Sequence, residues 1–439
     1  MSLPCYYALG GLNYKNGFAT SCPQQSDQLQ ILSEAYLPSE IINSKNFVQH
    51  RKDLMQGIWP SGCDMCKHVE QANSGRSMRQ EEPVDLQYYN NNGTVDFKGL
   101  KTVEIRFSHS CNMSCLHCSQ VFSSGWMSKL KRYVSDDEDK KYQLHQLTGV
   151  MHRKSPDDDL TMSISTERAI EIVEDLNVNF PNIERIDFAG GEVLYQKQFF
   201  PTLRKLTQHP NAKNMKIMFH SNFNADFDPA ELSNLLQNFG KSLIMISVDA
   251  GPRIYPYFRL GDWNKLKQNI EAFRAVNNKR TQINLVCTTG AYQIMELSDV
   301  FNGFLSLDSN HINASIIFTP DYLNPSVMML YHSDFVIEEI ARTKHVIENI
   351  KQQRLKNLKD SMFLNSYIGN YKTHEWSDIK SAKEAVSVIE KYTKTHKSES
   401  KHWESFMVYI KKTDAIWKQD FNNYIQNFKY VNGEVIQNV

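Results

Sequence analysis

No uninterrupted apolar run approaches 18 residues anywhere in the 439-residue chain, so nothing in it reads as a membrane-spanning helix. Neither sign of charge is in excess. The 49 Lys+Arg balance 49 Asp+Glu, which argues against a generally basic nucleic-acid binder and leaves no clear nucleic-acid signal. The opening residues, Met1-Ser-Leu-Pro-Cys5, lack the basic segment and long apolar stretch of a secretory signal. A reducing cytoplasm is therefore the expected compartment, and free or metal-bound thiols are the expected state of the cysteines. Internal repeats and low-complexity tracts are absent too. With 41% hydrophobic residues in 50.9 kDa, the composition is that of a globular chain with room for roughly two or three domains.

Of the eight cysteines, seven fall into two groups with tight internal spacing. The sharper group is Cys111-Asn-Met-Ser-Cys115-Leu-His-Cys118, directly after the strand-like stretch Val103–Phe107. A structural zinc site wants four Cys or His ligands, and the nearest fourth candidate, His117, is adjacent to Cys118 and poorly placed to share its tetrahedron. Three thiolates on a short loop instead suit three corners of a cubane [4Fe–4S] cluster whose fourth iron stays open to another ligand. The second group, Cys5, Cys22, Cys63 and Cys66, offers four sulfurs, which satisfy either an all-thiolate zinc site or a fully ligated [4Fe–4S] cluster. Cys287 lies in a strand pattern and is expected in the core.

Downstream of the triad, short apolar strands alternate with amphipathic helices. The candidate strands are Val103–Phe107, Ile183–Phe188, Lys216–His220, Leu243–Val248, Ile283–Cys287 and Ala314–Thr319. Between them run patterns such as Leu232/Leu235/Leu236/Phe239, with Asp228 as N-cap, Pro229 in the first turn and Gly240 beyond the end. Such alternation predicts an α/β fold with a parallel sheet, open or curled into a partial barrel, that gathers ligands at the C-terminal ends of its strands.

The Cys-x3-Cys-x2-Cys triad after the first strand resembles the radical S-adenosylmethionine (SAM) superfamily. That resemblance implies a partial (β/α)6 TIM-type barrel. It also implies a [4Fe–4S] cluster at Cys111, Cys115 and Cys118 whose open iron is chelated by SAM, and reductive cleavage to a 5′-deoxyadenosyl radical that abstracts hydrogen. Gly190-Gly191-Glu192 resembles the family's Gly-Gly-Glu-Pro motif near the SAM amino group, with Val193 in place of proline. Ser221, Asn222, Ser247 and Asp249, at the ends of the third and fourth strands, match positions that present polar groups to the SAM methionine and ribose. Arg259 resembles an arginine aimed at the SAM carboxylate, and His117 takes a position that is usually aromatic beside SAM. Their bland readings are turn-forming residues, a solvated arginine and a loop histidine.

The spacing Cys5-x11-Gly17-x4-Cys22 with Cys63-x2-Cys66 resembles the auxiliary-cluster portion of SPASM and twitch extensions, which implies one auxiliary [4Fe–4S] cluster. Here that portion precedes the core, as does the stretch from Arg51 through Glu70 to Ser77-Met-Arg79. The expected organisation is thus an N-terminal Cys-rich auxiliary-cluster module over residues 1–80, a linker over 81–99 and the barrel over 100–332. A charged insertion occupies 127–164, and a C-terminal helical region spans 333–439. The helical periods there are Val336/Ile337/Ile340/Val346/Ile347/Ile350, Val388/Ile389/Tyr392 and Trp417/Phe421/Tyr424/Phe428. Lys411, Lys412, Lys418 and Lys429 read as the solvent face of helices packed on the core.

The expected function is a radical SAM enzyme acting on a peptide or protein, fed one electron by a small donor such as flavodoxin or ferredoxin. A small molecule or nucleotide is the alternative substrate. A zinc-stabilised interaction protein without catalysis is the alternative from a different class.

Overall fold

The computed structural model describes residues 3–438 except 16, 26–27, 72–76, 81, 120–121, 135–162, 278–280, 308, 319 and 361–375. Most of the charged insertion expected over 127–164 therefore lies outside the described residues; its first turns belong to the helix Ser124–Val134. Among the described residues the main sheet has nine strands. Three come from the N-terminal segment: β1 (Gly11–Lys15), β2 (Phe18–Thr20) and β3 (Gln30–Ile31). Six follow at the positions the alternation predicts: β4 (Thr102–Arg106), β5 (Arg185–Ala189), β6 (Lys216–Ser221), β7 (Lys241–Ser247), β8 (Thr281–Thr289) and β9 (His311–Ile316).

The order is β3-β2-β1-β4-β5-β6-β7-β8-β9, with β4 to β9 parallel in chain order. Parallel neighbours need crossovers, and here helices supply them: Thr166–Asn179, Phe199–Leu206, Pro229–Leu236, Trp263–Val276 and Leu297–Ser306. Steps that always advance the same way, made with one hand, stack all these helices on one face. The sequence shows why. Phe107, Phe188 and Phe219 share the helix-facing side and pack with Phe199 in one chain of rings, 5.2–5.7 Å between centroids. Asp228 caps Pro229–Leu236 through the Ala230 N–H, as its position predicts. Cys287 lies on this same buried side, beside Ala314, and belongs to the core as expected.

The N-terminal segment shares the sheet: β1 runs parallel to β4 in the register Leu12↔Val103 and Tyr14↔Ile105. Residues 82–99 also dock. Tyr89 and Val95 form a bridge, and the Gly93 carbonyl accepts from Arg51 Nε at 2.9 Å. Arg51 is fully buried and is satisfied by uncharged acceptors, the carbonyls of Ile42, Gly93 and Ala8 and the Asn43 side chain. It ties the helix Lys45–Met55 to three other parts of the chain.

The C-terminal helices Ser333–Asp360, Ser377–Thr395 and Ser400–Trp417 follow their periods, but the last period does not continue. Lys418 turns left-handed at φ 54°, and Phe428–Val431 pairs with Glu434–Gln437 in an antiparallel hairpin. Its turn is Asn432-Gly433, both at positive φ, the residue pair such turns favour.

Candidate active site

Residues 107–118 leave the C-terminal end of β4 as a loop that its own hydrogen bonds hold in place. Ser124 Oγ accepts from the Cys111 N–H at 3.1 Å, the Cys118 N–H reaches the Cys115 carbonyl at 2.9 Å, and the Leu116 N–H reaches Phe258 O at 2.8 Å. Two distant aromatic residues fix the loop from outside: Trp126 Nε1 donates to the Cys115 carbonyl at 2.7 Å, and the Tyr409 hydroxyl donates to Leu116 O. The Met113 N–H points at Cys111 Sγ, 3.4 Å away. Burial pushes all three thiols up, Cys118 to about 12; Cys115 adds to the effect on Cys111 and Cys118.

Facing this loop is the turn after β5. Gly190 and Gly191 both have positive φ, and a Cβ on Gly191 would run into the Ser110 carbonyl, so the turn lies directly on the cysteine loop. Glu192 is 1% exposed. Its carboxylate accepts from Ser221 Oγ (2.6 Å), the Asn222 N–H (2.5 Å) and the Leu194 N–H (3.0 Å), which joins the ends of β5 and β6. Burial raises its pKa and these three donors oppose the rise. Val193, where the resembling motif has proline, opens a short 3-10 turn capped by Glu192 itself, so a capped turn takes over the proline's restraint. Ser221 and Asn222 are both engaged: the hydroxyl also accepts from the Phe223 N–H, and Asn222 Nδ2 donates to Asn112 Oδ1 at 2.8 Å.

At the end of β7, Ser247 is half-buried and Asp249 fully buried. Asp249 Oδ2 accepts from Arg259 Nη1 at 2.7 Å, Oδ1 from the Thr288 N–H at 2.6 Å, and His117 Nε2 stands 3.6 Å from Oδ2. The sequence reading aimed Asp249 and Arg259 at separate parts of a ligand, whereas here they pair with each other. Burial alone would lower the Arg259 pKa, but Cys115 and Asp249 outweigh it and push it up. His117 stacks on Phe258 at 4.9 Å, and burial draws its pKa down to about 4. Phe223, Asp249 and Leu260, all at positive φ without being glycine, sit on the three loops that close the site.

Some buried polar atoms here have no partner among the described residues: His117 Nδ1, Arg259 Nε, Ser119 Oγ and Gln196 Oε1. Buried polar groups are normally satisfied, so this rim of orphaned atoms beside three thiols fits a bound polar cofactor. Gln196, Trp126, Tyr409 and Gln293, which holds the Asp249 carbonyl, escape sequence reading because nothing in their local pattern marks them.

The second cysteine group also assembles. Cys5, Cys22, Cys63 and Cys66 line one pocket with His50, Trp59 and Arg79. Arg79 grips Glu70 with two nitrogens (2.9 and 2.6 Å) and the Pro4 carbonyl with a third (2.8 Å), joining the strands of chain that carry Cys5 and Cys66. Ser77 donates to the same Glu70. Among the described residues, no three His, Cys, Asp or Glu side chains converge on a point that would hold one metal ion.

The model of the radical SAM superfamily matches residues 105–292, which include the cysteine triad, the Gly-Gly-Glu turn, Asp249 and Arg259. No curated protein matches the chain. Among solved structures, native anSMEcpe with bound AdoMet matches at 16% identity and TM-score 0.38, covering 58% of this chain and 62% of that one. SuiB of Streptococcus suis, bound to precursor peptide SuiA, matches at 12% identity and TM-score 0.32, covering 68% and 60%. TsrM of Kitasatospora setae, a radical SAM methyltransferase with cobalamin and a [4Fe-4S] cluster, matches at 13% and 0.28, covering 37% and 30%. The match thus spans about three fifths of the length of anSMEcpe and SuiB. Over residues 105–292 the chain is similar to the radical SAM superfamily.

Proposed function

We propose that the chain is a radical SAM enzyme that abstracts hydrogen from a peptide or protein, with Cys111, Cys115 and Cys118 holding the catalytic [4Fe–4S] cluster. The observation that carries this reading is the tethered three-cysteine loop lying against the glycine turn, beside the orphaned polar atoms of His117 and Arg259. When bound there, the cluster with SAM supplies a 5′-deoxyadenosyl radical. The chain's own residues do the holding. Gly190 and Gly191 let backbone approach the cofactor, and Glu192 keeps β5 and β6 in register beneath it. Ser221 and Asn222 anchor the β6 end, Ser247 offers a hydroxyl at the β7 end, and Arg259 brings fixed positive charge.

Cys5, Cys22, Cys63 and Cys66 hold an auxiliary [4Fe–4S] cluster in this reading, within the 1–80 module. A single zinc ion draws its sulfurs to about 2.3 Å; these four cysteines share one pocket without converging on one point among the described residues, which suits the larger group. The donor is a small one-electron carrier such as flavodoxin or ferredoxin. The peptide substrate follows from the twitch/SPASM resemblance, and a pocket on the inner face of the sheet, lined by Glu104, Asp187, Met218 and His220, offers polar groups beside the cysteine loop.

Anaerobically reconstituted protein should hold about eight irons with matching sulfide. Cys115→Ala should retain about four and lose 5′-deoxyadenosine formation, and Cys63→Ala should lose about four and keep some uncoupled cleavage. Stoichiometric zinc without iron, or cleavage by Cys115→Ala, would overturn the assignment.

A further inference from the structure

The pleat gives the sheet two unlike faces. Opposite the phenylalanines, one row of the register reads Asn13, Glu104, Asp187, Met218. One pleat nearer the strand C-termini comes Lys15, Arg106, Ala189, His220. A pocket opens on this face, lined by Asn13, Glu104, Asp187, Met218 and His220 together with Tyr7 and Met78. It lies between the two cysteine groups. Met78 Sδ is 3.6 Å from Cys22 Sγ, and Ala189 runs straight into the Gly190 turn.

The charges on this face are unevenly matched. Arg185 is closed on Asp187 by two contacts of 2.8 and 2.5 Å. Arg106 spends only Nε on Glu104, at 2.6 Å, and its two terminal nitrogens have no partner among the described residues. Its stem lies against the cofactor-side turn: a Cβ on Gly190 would stand 3.2 Å from Arg106 Cβ. Lys15, beside it on β1, donates to the Gln25 carbonyl at 2.6 Å. Burial, then the neighbouring Arg106, pulls Lys15 down to about 8. Two half-buried cations thus stand on neighbouring strands with one carboxylate, Glu104, bonded to Arg106, and an arriving anion relieves their repulsion.

We propose that Lys15 and Arg106, which do not line the pocket themselves but share a row of the register with its lining residues Ala189 and His220, form a carboxylate-reading site beside it on the side of the Gly190 turn. The substrate then presents an acidic group there, either a Glu or Asp side chain or a free C-terminus. This deepens the peptide reading and rests on it only for what happens after binding. The guanidinium offers its two free nitrogens to a carboxylate as a fork, and the ammonium supplies the second charge.

The test uses the reconstituted full chain and three fluorescent heptapeptides: a capped one centred on Glu, a capped one centred on Gln, and an acid-free one with an open C-terminus. One of the two acidic probes should bind at least about tenfold tighter than the Gln peptide, and which one does so names the source of the carboxylate. Arg106→Gln and Lys15→Gln should each bring the ratio towards one, while Lys15→Arg should restore it. Equal binding of all three probes would overturn the proposal. So would a preference that survives both Gln variants, or a Lys15→Gln change that shifts the midpoint potential of the Cys22 centre and leaves the preference intact. SAM cleavage on the same preparation separates the two readings. Cleavage without preference sinks this proposal alone, and preference without cleavage sinks only the radical chemistry.

Discussion

At Gly191 the backbone turns at φ 51° with its α-hydrogen facing the Ser110 carbonyl, so any side chain must push the cysteine loop away. Gly191→Ala should cost about 1–3 kcal/mol in urea unfolding and weaken SAM binding, because the strained turn and the loop move together. A variant as stable as wild type would show that the two do not touch. Asp414 tests the packing on the far side of Tyr257. It accepts from the Tyr257 hydroxyl and the Phe421 N–H, both at 2.9 Å, and burial lifts its pKa to about 6. Asp420 adds to the lift. A carboxyl whose folded pKa lies above its unfolded value keeps its proton longer in the folded state, so stability falls as pH rises from about 4 to 6. Asp414→Asn should remove that slope. Its unfolding free energy relative to wild type should grow across this window, by about 1–2 kcal/mol at pH 7 after allowance for solvent access. A constant difference between pH 4 and 7 would contradict it.

The residues legible in sequence were those whose chemistry demands a type at a spacing: the three cysteines, the paired glycines with Glu192, and the cap at Asp228. Asp249 and Arg259 were legible as polar groups at strand ends, while their mutual ion pair was not, because it forms between two loops that only the fold brings together. Trp126 and Tyr409 left no local trace at all.

Among elements, β4 to β9 were readable because each buries one face on a helix and so alternates cleanly. The strands β1 to β3 are two to five residues long, too short to establish a period, and are completed by pairing with β4 and with one another. The C-terminal hairpin was signalled by Asn432-Gly433, but the aromatic spacing from Trp417 to Phe428 imitates a helical face. What pins that hairpin to the barrel is Glu296. Buried at 3% exposure, it accepts from Arg253, the Gln426 N–H (2.6 Å) and the Asn427 N–H (3.1 Å). Glu296→Ala leaves Arg253 Nη2 and two amides without an acceptor, Nη1 keeping the Tyr424 carbonyl, and should cost about 2–3 kcal/mol in urea unfolding. A loss below about 0.5 kcal/mol would mean that water replaces the carboxylate.

For the molecule as a whole, one sheet joins both cysteine groups: β1 and β2 lead to Cys22, and β4 leads to Cys111. The inner face between them carries the charged pocket, and the helices occupy the other side. The radical SAM reading therefore makes a demand that no single residue does, namely two iron–sulfur centres on one sheet, of which only that at Cys111, Cys115 and Cys118 has an iron open to SAM. Electron paramagnetic resonance of the anaerobically reduced full chain, recorded with and without SAM, tests this most directly. Two reduced [4Fe–4S] signals are expected, one of which shifts on adding SAM and disappears in Cys115→Ala. A spectrum without any cluster signal, or one that SAM leaves unchanged, would contradict it.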